Sequence, residues 1–535
     1  MTNWIPGLLA LAPLTLALVG LVPKRPSVLY RALPSVAIGA AGFGLGSVLV
    51  GTFLFFTSGA SGQPAIVQPA NILGLRITLY VDALSVLMTV LVAGVGTAVI
   101  HYSRRYLHGE ARQPHFTRWL CLTLAAVLAL ILSGNLLQFT LAWIATSLCL
   151  HQLLVYYHDR YRARLAARKK FMISRLGDVS LAAAIAILFF EFGTLDFASL
   201  FSAARNLQEA ASIPSSVHWA TALLVGSALL KSAQLPFHGW LTEVMETPTP
   251  VSALLHAGII NAGGFLVLRF SDLVVLSPAA LATLVVAGAA TALFAALVML
   301  TQTSIKVGLA WSTIAQMGFM MLQCGLGAFS AAMLHICAHS LYKAYAFLSS
   351  GSVIEAVRAN DAVRAEASSP LRTGLALATA AVIVTLVGLP FDITLKTAPG
   401  PVVLAAILAM GVAQFAAAGF ASSPGPLATA RRLALITAVV VLYFMLQLGA
   451  TALLDGALAQ PVGSHGPFDV AAAVVVIAAF AGVLLLQQLG PPRSLRSQAL
   501  YVHALNGFYL NTVTTRLIER VWPVNDTSRS EGVSA

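Results

Sequence analysis

LLKSAQLPFHGWLTEVMETPTPVSALLHAGIINAGGFLVLR, Leu229–Arg269, is the stretch on which the reading of this chain turns. An apolar run from Trp219 ends at Lys231, and Pro236 follows. Pro248 and Pro250 then lie close together, and a second apolar run from Val251 carries His256 and Asn261 in its interior. Proline removes a backbone donor and breaks the helical ladder. Within a bilayer such a break survives only where it is buried in protein or lines a water-filled cavity. An ammonium at membrane depth costs about 2.5–3.5 kcal/mol on insertion scales and marks an ion or proton path by default. A broken helix with Lys231, His238 and His256 near it therefore points to ion translocation.

Working outward, the 535 residues are 58% hydrophobic and only 9% charged, the composition of a polytopic membrane protein. The formal charge of +12 invites a nucleic-acid reading, but the placement of the charges argues against it. Cys121, Cys149, Cys324 and Cys337 are scattered through apolar segments without a CxxC pair, so iron–sulfur, structural-zinc and disulfide readings all fail. No basic region precedes the first apolar run, which reads as a retained span and not a signal peptide.

Windows of about 19 residues give about fifteen spans in an all-α membrane bundle. They fall near 4–22, 34–56, 78–100, 117–133, 136–157, 171–191, 217–235 and 249–270. The remainder lie near 276–300, 306–325, 328–354, 371–390, 400–421, 432–454 and 468–488. Four regions follow: N-terminal transmembrane helices over 1–116, an antiporter-like core over 117–421, further transmembrane helices over 422–490, and a cytoplasmic tail over 491–535.

Most Lys and Arg fall in alternate loops: Lys24 to Arg31, Arg104 to Arg118, Arg160 to Arg175, Arg358 to Arg372, Arg431 and Arg432, and the tail. By the positive-inside rule the N-terminus is periplasmic and the C-terminus cytoplasmic, in a bacterial inner membrane. The basic excess is topology. In the tail, Ala499 to Trp522 interleaves Tyr501, Leu505, Phe508, Tyr509, Leu517 and Val521 with polar residues at roughly helical spacing. It reads as an amphipathic cytoplasmic helix that either lies on lipid headgroups or docks a partner subunit.

Further buried polar residues extend the path. Lys306 starts one span, and His335, His339 and Lys343 stand at i, i+4 and i+8 in the next, on one helix face. An imidazole exchanges protons near pH 7, and desolvation brings an ammonium toward that range. Groups one turn apart, bridged by water, make a proton relay. The simpler use of such residues is hydrogen bonding between helices. HxxxH is also half of a zinc site, but it lacks the glutamate of HExxH and a third ligand. His151 lies near the end of the fifth span, and a lone histidine in an apolar helix is often satisfied by a neighbour. Asp82, and the pair Arg175 and Asp178, are either ion-paired structural groups or members of the path. Gly42, Gly44 and Gly46 fall inside a span and are close-packing glycines, not a nucleotide loop.

The segments KSAQLPFHGWL, METPTPVSALLHAG, TQTSIKVGLAWSTIAQMGFM and HICAHSLYKAYAFLSSGSVIE resemble the antiporter-type subunits shared by respiratory complex I and Mrp sodium/proton antiporters. The resemblance is strongest over about 80–355. It implies two inverted five-helix repeats, each with a broken helix, and Lys231 as the central lysine of the first repeat. It also implies a water-linked relay of Lys306, His335, His339 and Lys343, with His256 on the connecting broken helix. Two departures mark the branch. Where complex I subunits carry Gly-Trp-Glu, this chain has Ala142, Trp143 and Ile144, so the carboxylate that pairs with the lysine is gone. His151, two turns on along the same face, is a stand-in. The second-repeat lysine is also missing, with Asp392 or Lys396 as substitutes.

AWIATSLCLHQLL, HAGIINAGGFL and YVHALNGFYL look instead like the DabB subunit of DAB inorganic-carbon pumps. That resemblance implies a proton-conducting subunit that drives CO2 hydration to bicarbonate on a DabA-like, zinc-containing partner related to carbonic anhydrases, at the cytoplasmic face. The chemistry and the zinc then belong to the partner, and this chain carries no cofactor or metal and is not itself an enzyme. The alternative is a subunit of a respiratory NADH-quinone oxidoreductase or of an Mrp antiporter.

Overall fold

The computed structural model describes residues 4–25, 27–58, 64–72, 75–210, 212–351, 370–391, 399–420, 425–460, 467–486 and 495–522. Among these, nine helices are long and apolar enough to cross a membrane, and shorter apolar helices accompany them. The first two, α1 (Ile5–Gly20) and α2 (Val28–Thr57), pack against each other and against α4 (Gln113–Ile131).

One element departs from the all-helical expectation. Strands β1 (Ala65–Ile72) and β2 (Leu75–Val81) form an antiparallel hairpin. Its register shifts between Val67 and Ala70, the interval holding Pro69, which has no N–H to give to a ladder. The third span therefore begins later than the hydropathy window placed it. Asp82 caps α3 (Ala83–Tyr106) by accepting from the Ser85 amide at 2.8 Å. β2 is tied to the turn between α4 and α5 (Leu136–Leu154) by Tyr80 N–H to Leu132 O at 3.1 Å and Gly134 N–H to Thr78 O at 2.9 Å.

The sixth span also differs from its window. Helix α6 runs from Tyr161 to Phe192, starting well before 171. Arg and Lys are good helix formers, so a basic run without Pro or Gly does not delay the helix. Lys169 and Lys170, read from the sequence as loop charges, are buried in it. A short helix α7 (Phe197–Ala210) follows, and then the first broken unit. Helix α8 (Ser215–Lys231) ends at the lysine, the chain leaves helical geometry, and α9 (Gly239–Glu243) resumes it for five residues.

Pro248 and Pro250 do not kink a span. Pro248 caps, and Pro250 lies in the first turn of, α10 (Thr249–Ala257), where a missing N–H removes no helical bond. The interruption comes at Gly258, with a single 3-10 turn Ile259–Asn261 before α11 (Ala262–Arg269) and α12 (Ser271–Val274). The two breaks touch: Ser232 Oγ donates to Ile260 O at 2.9 Å. A side chain on Gly263 would run into Ala228 O and Ser232 Oγ, so glycine is what lets α11 approach the end of α8.

Helices α13 (Pro278–Met299), α14 (Ile305–Gly325) and α15 (Phe329–Leu348) complete the central bundle. At Gly288, Gly318 and Gly325 a side chain would strike the backbone of the facing helix, so α13 and α14 meet backbone to backbone. Helices α16 (Pro370–Gly388), α17 (Phe420 at its end, from Pro399) and α18 (Pro426–Leu453) share a smaller apolar cluster of Ala376, Ala380, Ala413, Val440 and Phe444. Helix α19 (Pro467–Leu486) packs on α13 and α17. The chain closes with α20 (Leu495–Leu505) and α21 (Leu510–Val521). Asp392, Lys396 and residues 523–535 lie outside the described residues.

Candidate functional site

Lys231 is buried at the last residue of α8, and its Nζ has no hydrogen-bond partner among the described residues. It stands 4.3 Å over the ring of Trp143 on α5, an aromatic face that holds a cation without binding it to a counter-ion. The carboxylate whose charge it feels is Asp178 on α6, which Arg175 approaches to 2.6 Å. Lys170, two turns earlier on α6, is also buried and gives its ammonium to Ser147 O and Oγ on α5 at 2.9 and 2.8 Å. Lys170 and Lys231 act on each other electrostatically. So Lys170, Arg175 and Lys231 gather around Asp178, and moving a proton among them changes a crowded balance of charge.

His151 enters this group from the side. It leans on Phe171 at 5.3 Å and feels the charges of Lys170 and Arg175. His238, in the break after Lys231, is fully buried between Phe294 and Trp311, with ring centroids at 5.8 and 5.1 Å and neither nitrogen bonded.

The second group lies across α10, α14 and α15. His256 binds Thr313 Oγ1 through Nδ1 at 3.0 Å, stacks on Phe347 at 4.4 Å, and leaves Nε2 without a partner. Lys343 gives its ammonium to Leu309 O at 3.0 Å, a neutral acceptor on α14. His339 has neither nitrogen bonded and sits between its neighbours: 6.0 Å from the His335 ring, and within the electrostatic reach of Lys343 and His256. His335 Nδ1 is paired with Gln323 Oε1 at 2.9 Å. Asn261, in the second break, reaches Ser340 Oγ at 2.8 Å and ties the break to the helix of the relay. A cavity of about 450 Å³ borders His335 and His339, with Gln316, Gln323, Tyr342 and Gln447 in its wall. Most of the rest of the wall is apolar, with Leu334, Leu404, Ile407 and Leu446, so a water would find partners chiefly at the glutamines and ring nitrogens.

Two expected members stand apart. Lys306 gives its ammonium to Thr249 Oγ1 at 3.0 Å at the start of α10. Asp82 is held by Arg269 in two bonds, at 2.6 and 3.2 Å, and Arg269 also donates to Ser85 Oγ at 2.7 Å. That pair is closed and lies at the far end of α11 from the second break. Sequence reading gave Asp82 no partner, because the pairing spans elements far apart in the chain. It also missed Lys169 and Lys170. The signal was present in the unbroken helix-forming run from Tyr161, which carries the basic residues into the bundle.

A membrane bundle with two broken helices, a buried lysine without a hydrogen-bond partner among the described residues and a row of histidines is the architecture of a cation-translocating subunit. The chain belongs to the proton-translocating antiporter family common to complex I, Mrp and DabB-type subunits: residues 133–424 match the NADH:quinone oxidoreductase/Mrp antiporter transmembrane family, and 68–117 match the N-terminal family of complex I chain 5. It is 37% identical over 526 residues to the "probable inorganic carbon transporter subunit DabB2" of Halothiobacillus neapolitanus, covering 97% of this chain and 94% of that one. To DabB of Hydrogenovibrio crunogenus it is 38% identical over 447 residues, 83% of each chain. To NADH-quinone oxidoreductase subunit L of Escherichia coli it is 37% identical over 327 residues, 60% of this chain and 53% of that one. In fold it is similar to the Mrp complex of Dietzia sp. DQ12-45-1b, with TM-score 0.60 and 22% identity over 99% of this chain and 61% of that one.

Proposed function

We propose that this chain is the proton-conducting membrane subunit of an inorganic-carbon uptake complex, coupled to a DabA-like zinc subunit that hydrates CO2 to bicarbonate at the cytoplasmic face. The observation that carries this reading is the span of the likeness. The DabB2 relative matches through the tail, whereas subunit L of complex I matches over little more than half its own length. The replacement of the pairing glutamate by Ile144 agrees with that branch.

In this reading, protons reach Lys231 through the first break, where the chain from Ser232 to His238 is not helical. Lys231 holds the proton over Trp143 and Asp178 tunes its release. His256, His339 and Lys343 pass it on, with the cavity beside His335 and His339 supplying water. Lys306, His335 and His151 serve as flanking members. Because Lys231 has no tight counter-ion, its proton is free to leave. The broken unit α8–α9 fits the first repeat of the inverted-repeat plan, while the second repeat's expected break, near Asp392 and Lys396, lies outside the described residues. The nine long and four shorter apolar helices among the described residues, taken with α8 and α15, agree with about fifteen spans. Basic residues at alternate loops favour a periplasmic N-terminus and a cytoplasmic tail.

The test is affinity purification of the tagged chain from mild detergent, with mass spectrometry and zinc analysis. A carbonic-anhydrase-like, zinc-bearing partner at near-equal abundance is expected. Recovery of quinone-reductase or Mrp subunits instead assigns the chain to a respiratory or antiporter complex, the reading favoured by its likeness to subunit L.

A further inference from the structure

Lys169 is 1% exposed and takes no part in the path described above. Its ammonium donates to Glu243 on α9, and to Asn511 Oδ1 and Thr515 Oγ1 on α21. Asn511 Nδ2 closes the ring by donating to the same Glu243 oxygen at 2.8 Å. Three pieces of chain, distant in sequence, thus share one buried cation. One of them is the segment that follows the break after Lys231.

A second observation concerns space. Gly239 is the first residue of α9, and a methyl group there would collide with the Asn511 side chain. The seat for the tail exists because position 239 has no Cβ. Further along, Phe508 packs on Phe294 at 5.5 Å, and Phe294 is one of the rings enclosing His238. The tail therefore touches the interrupted segment at Gly239 and Glu243 and reaches His238 through Phe294.

The side that α21 turns to the bundle carries polar groups beside one buried apolar residue, Ile518. Asn511, Thr515 and Glu519, which accepts from Tyr161 at 2.7 Å, face the bundle, while Val513, Leu517 and Val521 are exposed. That face joins the burial of Ile518 to a set of specific bonds, and the bonds make it sensitive to the loss of one partner.

We propose that Lys169 is a positioning residue that fastens the C-terminal helix to the break after Lys231, so that the tail and the broken segment move as one unit. Displacement of the tail is then felt at His238 and Lys231, and the tail is the element through which the partner-facing side addresses the ion path. The consequence for transport rests on the proposed function, whereas the fastening itself does not.

The test is hydrogen–deuterium exchange of the full-length chain in lipid nanodiscs, read over residues 239–246 and 510–521. Lys169→Met and Gly239→Ala are each expected to speed exchange in both windows together, by about tenfold for the loss of a charge-assisted bond. The pair Lys169→Glu with Glu243→Lys is expected to restore slow exchange. Faster exchange in the tail alone, with 239–246 unchanged, overturns the fastening. So does a Gly239→Ala chain indistinguishable from the native one. Proton flux into vesicles, measured in parallel, separates the two claims. Linked exchange with unaltered flux retains the fastening and removes its role in transport. If native flux is absent altogether, the proposed function fails while the exchange result stands.

Discussion

Arg269 and Lys231 are both cations buried in this bundle, and they are used in opposite ways. Arg269 is closed: two bonds to Asp82, one to Ser85, and a place over the Tyr80 ring at 5.3 Å. Lys231 is open: an aromatic face, a carboxylate within electrostatic reach and, among the described residues, no hydrogen bond. A bidentate guanidinium stays charged and fixed, and it locks the hairpin end of α3 to α11. An ammonium without a partner can lose its proton and recover it. Burial alone does not distinguish structure from path. On the proposed reading, a tight counter-ion marks the structural cation and its absence the transporting one.

Substitutions sharpen that contrast. The largest effect is expected at Lys231→Met, which should lower proton flux by about a hundredfold or more, the scale of losing a proton-transferring group. Because it deletes an unpaired buried charge, the melting temperature of the purified chain should hold or rise. Flux that survives removes Lys231 from the path.

Arg269→Met should do the reverse. It strands Asp82 in the bundle, a loss on the order of 3–5 kcal/mol, seen as a lowered melting temperature and poor yield. Adding Asp82→Asn should recover much of the loss, and a double variant no better than the single would show that the pair is not the unit.

A smaller change is expected at His339→Phe. Flux should fall on the order of tenfold, since a water can bridge one missing relay member. Native flux would confine the path to the Lys231 side. The smallest is at Ser147→Ala, which removes one of two bonds to Lys170 and should cost about 1 kcal/mol with little effect on flux. A large flux defect there would place Lys170 beside Lys231 in function.

Much of this was visible in the chain itself. The break after Lys231 and the row His335, His339 and Lys343 were legible because proline and charge inside apolar runs have few uses in a membrane. The pairing of Asp82 was not, since its partner Arg269 lies far along the sequence and neither residue carries a local signal for the other. Lys169 and Lys170 were read as loop charges because hydropathy averages over a window, whereas burial depends on which face of α6 each residue occupies. The hairpin was missed for a related reason: β2, LRITLYV, is apolar enough to merge with the helix that follows. The two breaks also looked alike in sequence, yet one is set by a proline in a non-helical run and the other by Gly258.

The glycine seam between α13 and α14 has a mechanical meaning. Two helices in contact along their backbones, at Gly288, Gly318 and Gly325, cannot slide without lifting apart. They make a rigid frame, and the facing breaks near Ser232 and Ile260 are the irregular backbone set against it. Thr313, Leu309 and Trp311, all on α14, are mounted on that frame and meet His256, Lys343 and His238 there. Any travel of the broken segments would therefore be measured against α14.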